Sequence, residues 1–366
     1  MTAYDDLRHA FETRADGAAG GEGPAVGLFG EGCPAPLIVA AGGRPLDVKA
    51  PPLADATSGP RVAAVDRVVE DFMDAFATRF LHRLAAGAFD GWPLILFARD
   101  DVAGLAAYQY ATELRRQGLI PADGPRLHLW NMLHTDSAPA ARFNAGERDR
   151  LVAVLGETFG RVPDDAAVAA ALLAERDRAR ALSHLPAGGE TAFVARAAGR
   201  WMSAGAHAAA LDALNDGHAG QGAAPAPSEV PAIAFVGTAC DLPVLHALAD
   251  EVGRVHADLQ DYGQSPAAPT GATPETLVAD LSRQPLSVRA APPRRYTDAL
   301  IDGTDGADLV IASVDRNDDA FGWEIPSLRE AVEARGARFL DLGFRPFRPD
   351  AAWIDGARTR IAKALA

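Results

Sequence analysis

The sequence has only two cysteines, Cys33 and Cys240, among 366 residues. Two thiols exclude a disulfide framework as the basis of the fold, and so low a cysteine content is typical of a reducing compartment. No apolar run approaches the roughly 18 residues of a membrane-spanning helix, and the acidic N-terminal residues lack the apolar segment of a signal peptide. We therefore expect a cytoplasmic protein without a membrane partner.

The chain also lacks an excess of basic residues. Its 49 Asp and Glu outnumber 35 Lys and Arg, which gives a formal net charge of −14. A nucleic-acid partner would require a basic face to neutralise phosphates, so this composition argues against one. A nucleotide or coenzyme A (CoA) ligand is not excluded, because local arginines and helix N-termini are sufficient to bind phosphate.

Several familiar site motifs are missing. The glycines near the start, Gly27, Gly30 and Gly32, do not fit G-x-G-x-x-G, so a dinucleotide fingerprint is not indicated. There is no GK[ST] phosphate loop, no HExxH and no G-x-S-x-G. Cys33 and Cys240 stand apart without metal-ligand spacing; each is either a reactive thiol at a helix N-terminus or, as we favour, a small buried apolar residue.

What is present is a regular alternation of apolar β-like runs and helical patterns. WPLILFA (92–98) and IAFVGTA (233–239) are typical of buried strands, and the spacing of apolar residues over 65–84 predicts one long helix. We predict an α/β fold with two Rossmann-like, flavodoxin-like parallel-sheet domains and a helical subdomain of three helices. The predicted parts are an N-terminal helix and flexible segment (1–24), a Rossmann-like domain (25–137), a helical subdomain (138–216), a linker (217–231) and a second Rossmann-like domain (232–366).

Polar residues gather where the predicted strands end. Because ligands of open parallel sheets bind at the carboxyl ends of strands, these segments are expected to line a cleft between the two domains. They are GEGCP (30–34), ARDD (98–101), HTDS (134–137), GTACD (237–241), QDYG (260–263), DRNDD (315–319) and GFRPF (343–347).

Two local clusters leave alternatives open. In DRNDDAFGWE (315–324), Asp315, Asp318, Asp319 and Glu324 either bind a hard cation or, as we favour, belong to a solvated loop with helix-capping aspartates. Arg294 and Arg295 either contact a phosphate, for example on CoA, or form a solvated basic corner. The histidines are scattered, and His82 and His128 lie in apolar patterns that favour packed or surface residues over metal ligands.

The stretch GLFGEGCPAPLIVAAGGRPLDV resembles the N-terminal segment of the 2-hydroxyacyl-CoA dehydratase / benzoyl-CoA reductase subunit family. Pro34, the Ala40-Ala41-Gly42 helix end and Pro45 fall in step with that family. LILFARDDVAGLAAYQYATELRRQG, RLHLWNMLHTDSAPAARFNAGERDRLVAVLGETFG, ADLVIASV with WEIPSLREAVEARGARFLDL, and DGARTRIAKAL are similar to later family segments in the same order. The resemblance covers nearly the whole chain.

The resemblance implies a subunit of a two-subunit lyase or oxidoreductase. In that family a 4Fe–4S cluster binds beside a CoA thioester, and an ATP-hydrolysing iron–sulfur activator supplies the electron for ketyl-radical dehydration or ring reduction. The family's cluster cysteines correspond here to Ala64 or Val65, Arg99 or Asp100, and Asp318, which are poor substitutes for thiolates. The family's glutamates after the proline are replaced by Ala35 and Pro36.

Three hypotheses follow. The first is a cluster-free subunit that binds no cofactor itself and pairs with a homologous, 4Fe–4S-bearing sister subunit. The second is a non-catalytic structural or regulatory paralogue, and the third is an enzyme with redesigned chemistry that uses Arg99, Asp100, Asp315 and Asp318. The residues expected to line the substrate cleft are Gly32, Cys33, Pro34, Arg99, Asp100, Asp315 and Asp318, with Arg294 and Arg295 as candidate phosphate contacts.

Overall fold

A computed structural model describes residues 2–14, 22–53, 59–100, 102–219, 230–285, 292–318 and 320–366. Most of the predicted flexible segment after the first helix, most of the predicted linker, and Asp319 lie outside these residues. Among the described residues, none of the helices is both long and apolar enough to cross a membrane.

The first sheet has four parallel strands: β1 (Ala25–Phe29), β2 (Arg44–Asp47), β3 (Leu94–Ala98) and β4 (Arg126–Trp130). Their order in the sheet is β2-β1-β3-β4, and Val26 of β1 pairs with Pro45 on one side and with Leu94 on the other. All five residues of β3 are buried, as expected for a central strand of a parallel sheet covered on both faces.

Helices cover both faces of this sheet. α1 (Ala3–Glu12), α2 (Ala35–Ala40), α3 (Ala63–Asp66), α4 (Ala75–Ala85) and α5 (Val102–Arg116) belong to this half. Side chains of β3 alternate between two cores: Phe97 packs with Phe80 of α4, and Leu96 lies in the core that contains Leu37 of α2. The prediction of one helix over 65–84 is wrong, because Asp74 accepts a hydrogen bond from the Ala77 amide and begins a new helix there.

The helical layer contains four helices rather than the predicted three: α6 (Ala138–Phe159), α7 (Asp165–Ser183), α8 (Glu190–Ala198) and α9 (Ala204–Ala219). The predicted breaks near Gly160 and Gly189 are confirmed, and both glycines have a positive φ. The additional break follows Gly199, where a Cβ would collide with the imidazole of His207. Because this contact involves His207 of the following helix, the residues around Gly199 carry no sequence pattern that predicts the break.

The second sheet repeats the topology of the first. β5 (Ala232–Gly237), β6 (Arg254–Asp258), β7 (Leu309–Asp315) and β8 (Arg338–Arg345) are parallel in the order β6-β5-β7-β8. α10 (Val244–Asp250), α13 (Ile325–Ala334) and α14 (Ala351–Leu365) pack around it, and a short 3₁₀ helix spans Phe321–Trp323. The predicted α/β fold with two Rossmann-like parallel sheets is thus confirmed.

A segment of the second half reaches back over the first. Between β6 and β7 the chain forms α11 (Pro274–Arg283) and α12 (Pro293–Gly303). α11 packs on α6, and its Leu277 and Leu281 enter the same core as Leu151 of α6. The segment after β6 is therefore part of the packing of both halves.

Arg14, just beyond α1, joins the two halves. Its side chain is 1% exposed; it donates from Nε to the Pro51 carbonyl oxygen (3.1 Å) and ion-pairs with Asp241 (2.6 Å). Arg348 contacts the same carboxylate at 2.6 Å. Burial alone would raise the pKa of Asp241, but Arg14 and Arg348 hold it below its usual value.

Replacing Arg14 by Ala is expected to lower the free energy of unfolding by about 3 kcal/mol, since it removes one partner of a buried ion pair. The control is Arg180→Ala, which removes an exposed pair with Asp212 and should cost less than about 1 kcal/mol. Urea unfolding followed by circular dichroism measures both. An equal loss of unfolding free energy in the two variants would contradict a role of Arg14 in holding the two halves together.

Candidate functional site

A cavity of about 530 Å³ lies along α2, where the first sheet, the helical layer and the segment after β6 meet. Gly30, Glu31 and Cys33 line it from the end of β1, and Asp47 lines it from the end of β2. The helical layer contributes residues of α7 to α9, and the second half contributes residues 261–269 and part of α11. Its volume is within the range of small-molecule sites, and its place at carboxyl ends of parallel strands is where such folds bind ligands.

The guanidinium of Arg200 occupies the charged part of this cavity. It ion-pairs with Glu31, lies 3.8 Å from Asp47, and stacks over the Tyr262 ring with its Cζ 4.2 Å from the centroid. These groups come from the turn after α8, the loop after β1, the end of β2 and the loop after β6. The cluster therefore forms only when all three walls are assembled.

Burial raises the pKa of Asp47, although Arg200 opposes the shift. Each carboxylate oxygen of Asp47 lies 3.4 Å from the Tyr262 hydroxyl, and the carboxylate accepts the Ala50 amide at 2.9 Å. Burial also raises the pKa of Glu31 and, well above its usual value, that of Tyr262. Carboxyl groups with raised pKa values at a cavity are suited to accept or donate a proton, and here two of them share one guanidinium.

A second guanidinium, that of Arg196 on α8, also lines the cavity. It is 7% exposed, and its Nε lies 3.2 Å from Ser265 Oγ. Unlike Arg200, it has no carboxylate among its hydrogen-bond partners in the described residues. Burial lowers the pKa of Arg196, although Asp258 acts in the opposite direction.

The two thiols are enclosed. Cys33 lines the cavity with its Sγ 4.0 Å from the Leu96 carbonyl oxygen, and Cys240, in the second half, directs its Sγ to the Leu242 carbonyl oxygen at 3.3 Å. Burial raises the pKa of both thiols, that of Cys33 well above its usual value. Both cysteines thus lie in surroundings that disfavour the thiolate needed for nucleophilic attack or metal binding.

The structure brings Gly32 and Asp100 together. The Gly32 amide donates to Asp100 Oδ2 at 2.7 Å, which fixes the corner after β1 against the end of β3. Pro34 precedes the first turn of α2 as its N-cap. Arg99, next to Asp100, is exposed and lies 3.3 Å from the side-chain oxygen of Asn131.

The predicted acidic loop after β7 is built by aspartates that bind backbone amides. Asp318 accepts the amides of Ala320 and Phe321 at 2.9 Å each, and Asp315 accepts the Asn317 amide at 2.8 Å. Asp315 and Asp318 are not among the described residues that line the cavity. The helix-capping interpretation of this loop agrees with these contacts.

The two adjacent arginines differ in their surroundings. Arg294 is exposed, whereas Arg295 donates to the carbonyl oxygens of His134 (3.2 Å) and Arg283. His82 is 1% exposed and accepts the Val62 amide at 3.1 Å, which is the contact pattern of a packed histidine.

Sequence reasoning missed Asp47, Arg196 and Arg200. Asp47 ends a strand and would have been found by extending the strand-end rule to RPLD, whereas Tyr262 was within the strand-end segment 260–263. Arg196 and Arg200 carry no local signal, because they reach the cavity from the end of α8 and the turn that follows it.

The chain was compared with known proteins. It matches no protein-family model and no curated protein.

Replacing Arg200 by Met is expected to lower the free energy of unfolding by about 3 kcal/mol near pH 8, because the buried carboxylate of Asp47 and the half-buried one of Glu31 lose their shared cation. The loss should be smaller near pH 5.5, where Glu31 and Asp47 take up protons more readily. Urea unfolding at the two pH values measures the difference, with Arg180→Met as the exposed control. A loss that is the same at both pH values would contradict the shared-cation cluster.

A second prediction concerns His207, whose Nε2 lies 2.8 Å from the Ala195 carbonyl oxygen. Burial lowers its pKa from 6.5 to about 4. The unfolded chain therefore binds a proton that the folded chain rejects between these values, and stability should fall as the pH is lowered from 6.5 towards 4.

His207→Gln should make this pH dependence less steep without removing it, because burial also lowers the pKa of His128 to about 4. His9→Gln, an exposed change on α1, should leave it unchanged. Urea midpoints measured from pH 7 to pH 4.5 provide the comparison. An identical pH profile for His207→Gln and the original chain would show that His207 is not a source of the dependence.

Proposed function

We propose that the chain is a cluster-free subunit of a heteromeric enzyme of the 2-hydroxyacyl-CoA dehydratase or benzoyl-CoA reductase type. It pairs with a homologous sister subunit that carries the 4Fe–4S cluster, and an ATP-dependent iron–sulfur activator supplies the electron to that complex. The observation that carries the proposal is the resemblance of residues 27–48, and of the later segments in the same order, to that family. Two Rossmann-like parallel sheets, with a cavity at the carboxyl edge of the first, are compatible with it.

The residues of this chain do not fit a 4Fe–4S cluster. At the places suggested by the resemblance, Val65 is a fully buried apolar residue, Asp100 accepts the Gly32 amide, and Asp318 caps a 3₁₀ helix. Neither Cys33 nor Cys240 stands at such a place, and each thiol is enclosed. We therefore assign the radical chemistry and its cluster to the sister subunit.

In this proposal the chain forms one wall of the sister subunit's substrate pocket. It also places the polar cluster around Arg200 near the site of the reaction. The loops 30–34, 98–100 and 315–318 close the sister subunit's pocket, and a CoA thioester bound there lies within reach of this chain. Arg294 is the more accessible candidate for a phosphate contact, since Arg295 is already engaged by two carbonyl oxygens.

A non-catalytic structural or regulatory paralogue is the second candidate. It is favoured if the cavity takes no part in turnover, because the two sheets and their packing would then be kept for assembly alone. The third hypothesis, redesigned chemistry at Arg99, Asp100, Asp315 and Asp318, has less support, since the three aspartates bind backbone amides.

The decisive experiment is anaerobic purification of this chain alone and together with a cysteine-bearing homologue encoded beside it. The chain alone should take up no iron or sulfide during reconstitution, and its thiols should react with a disulfide reagent much more slowly when folded than in guanidinium. The complex should contain both chains by mass spectrometry and should hold iron.

Cys33→Ala and Cys240→Ala serve as matched controls, because neither change should lower the iron content of the complex. A brown colour in the isolated chain, or iron lost from the complex on either change, would contradict the assignment of the cluster to the sister subunit. Turnover that is unchanged in Arg99→Ala and Asp318→Ala would eliminate the third hypothesis.

A further inference from the structure

Arg196 is a buried cation whose hydrogen-bond partners, within the part of the chain that the structure describes, are all neutral. Its Nε lies 3.2 Å from Ser265 Oγ, and Nη2 donates to the carbonyl oxygen of Pro186 at 3.0 Å, with that of Ala187 at 3.4 Å. Nη1 is buried and has no hydrogen-bond partner within the described part of the chain. Taking a guanidinium out of water costs free energy, and here no ion pair with an anion offsets that cost.

The nearest acidic influence on Arg196 is already engaged elsewhere. Asp258 binds His246 Nε2 through Oδ2 at 2.8 Å and the Gln260 amide through Oδ1 at 2.9 Å. It acts on Arg196 only through space and forms no ion pair with it in the described residues. The positive charge of Arg196 is therefore open to an external anion.

Two other arginines that line the cavity differ from Arg196 because each forms an ion pair. Arg200 pairs with Glu31, and Arg178 of α7 pairs with Glu175. Apolar side chains complete the lining, among them Pro36, Val39, Met202, Leu277 and Leu281. The cavity thus combines one unmatched cation with a hydrocarbon surface.

We propose that this cavity binds a small organic monocarboxylate, whose carboxylate is recognised by the Arg196 guanidinium and whose hydrocarbon part lies on the apolar lining. Charge-assisted hydrogen bonds from arginine to carboxylate are among the strongest available to a protein. The inference concerns this chain alone and does not depend on the existence of a sister subunit.

A phosphate is a poorer match for the same cavity. The lining contains six carboxylates and four guanidiniums, so a dianion would meet about twice the repulsion that a monoanion meets. A monoanion needs only the one unmatched cation, and a body of a few carbons fits the volume of about 530 Å³.

The test is calorimetric titration of the full chain with hexanoate and benzoate, and with hexanamide, benzamide and inorganic phosphate as probes of charge and shape. We expect at least one of the two carboxylates to bind, with neither the amides nor phosphate competing. Arg196→Gln should weaken that binding by at least about tenfold, the effect of losing one charge-assisted hydrogen bond. Arg180→Gln, an exposed change on α7, should bind as the original chain does.

A second variant keeps Arg196 and fills part of the cavity from α2. Val39 is 46% exposed and lines the cavity, so Val39→Trp should block the ligand while the fold is retained, as checked by circular dichroism. The proposal is overturned if neither carboxylate binds the original chain, if the amides or phosphate bind equally well, or if either Arg196→Gln or a folded Val39→Trp binds as the original chain does.

Discussion

The buried guanidinium of Arg14 lies where the two halves of the molecule meet. It contacts Asp241 of the second half and the Pro51 carbonyl oxygen of the first, and its Cζ lies 5.4 Å from the centre of the Trp201 ring. Trp201 in turn donates from Nε1 to the backbone oxygen of Asp47 at 3.1 Å. Contacts therefore run without a break from Arg14, through Trp201, to Asp47 in the charged cluster of the cavity. The shape of the cavity thus depends on how the two halves are held together.

The cavity arginines Arg196 and Arg200 show how surroundings decide what a charged group can do. Arg200 meets Glu31 and Asp47, so its charge is used within the protein and organises the walls. Arg196, one helical turn earlier, meets a hydroxyl and two carbonyl oxygens, so its charge is left for an external anion. Two arginines four positions apart thus have different roles: Arg200 stabilises the walls of the cavity, and Arg196 is available to bind a ligand.

Local patterns were sufficient for the architecture. LILFA and IAFVG are apolar runs bounded by turn residues, and both form central strands that are buried throughout. The periodicity of apolar residues did not predict the new helix that begins after Asp74 or the break after Gly199. The first depends on the hydrogen bond from the Ala77 amide to Asp74, and the second on the close approach of His207. The candidate site was harder still, since Arg200, Asp47 and Tyr262 come from different elements and are linked only in the folded state. The corner 30–34, which includes Glu31, was expected at a cleft, but Asp47, Arg196 and Arg200 were not foreseen.

The contacts of Arg14 also bear on the order in which the molecule can be completed. Arg14 and Asp241 are separated by 227 positions, and Arg348 joins the same carboxylate from still later in the chain. During synthesis Arg14 must wait, without its ionic partners, until most of the chain has left the ribosome. Contacts between residues so far apart form late and slow the final steps of folding. The apolar face of α1 is completed earlier, because Phe11 contacts Phe193 and Trp201 of the helical layer, but until that layer is synthesised it is a surface that a chaperone would encounter.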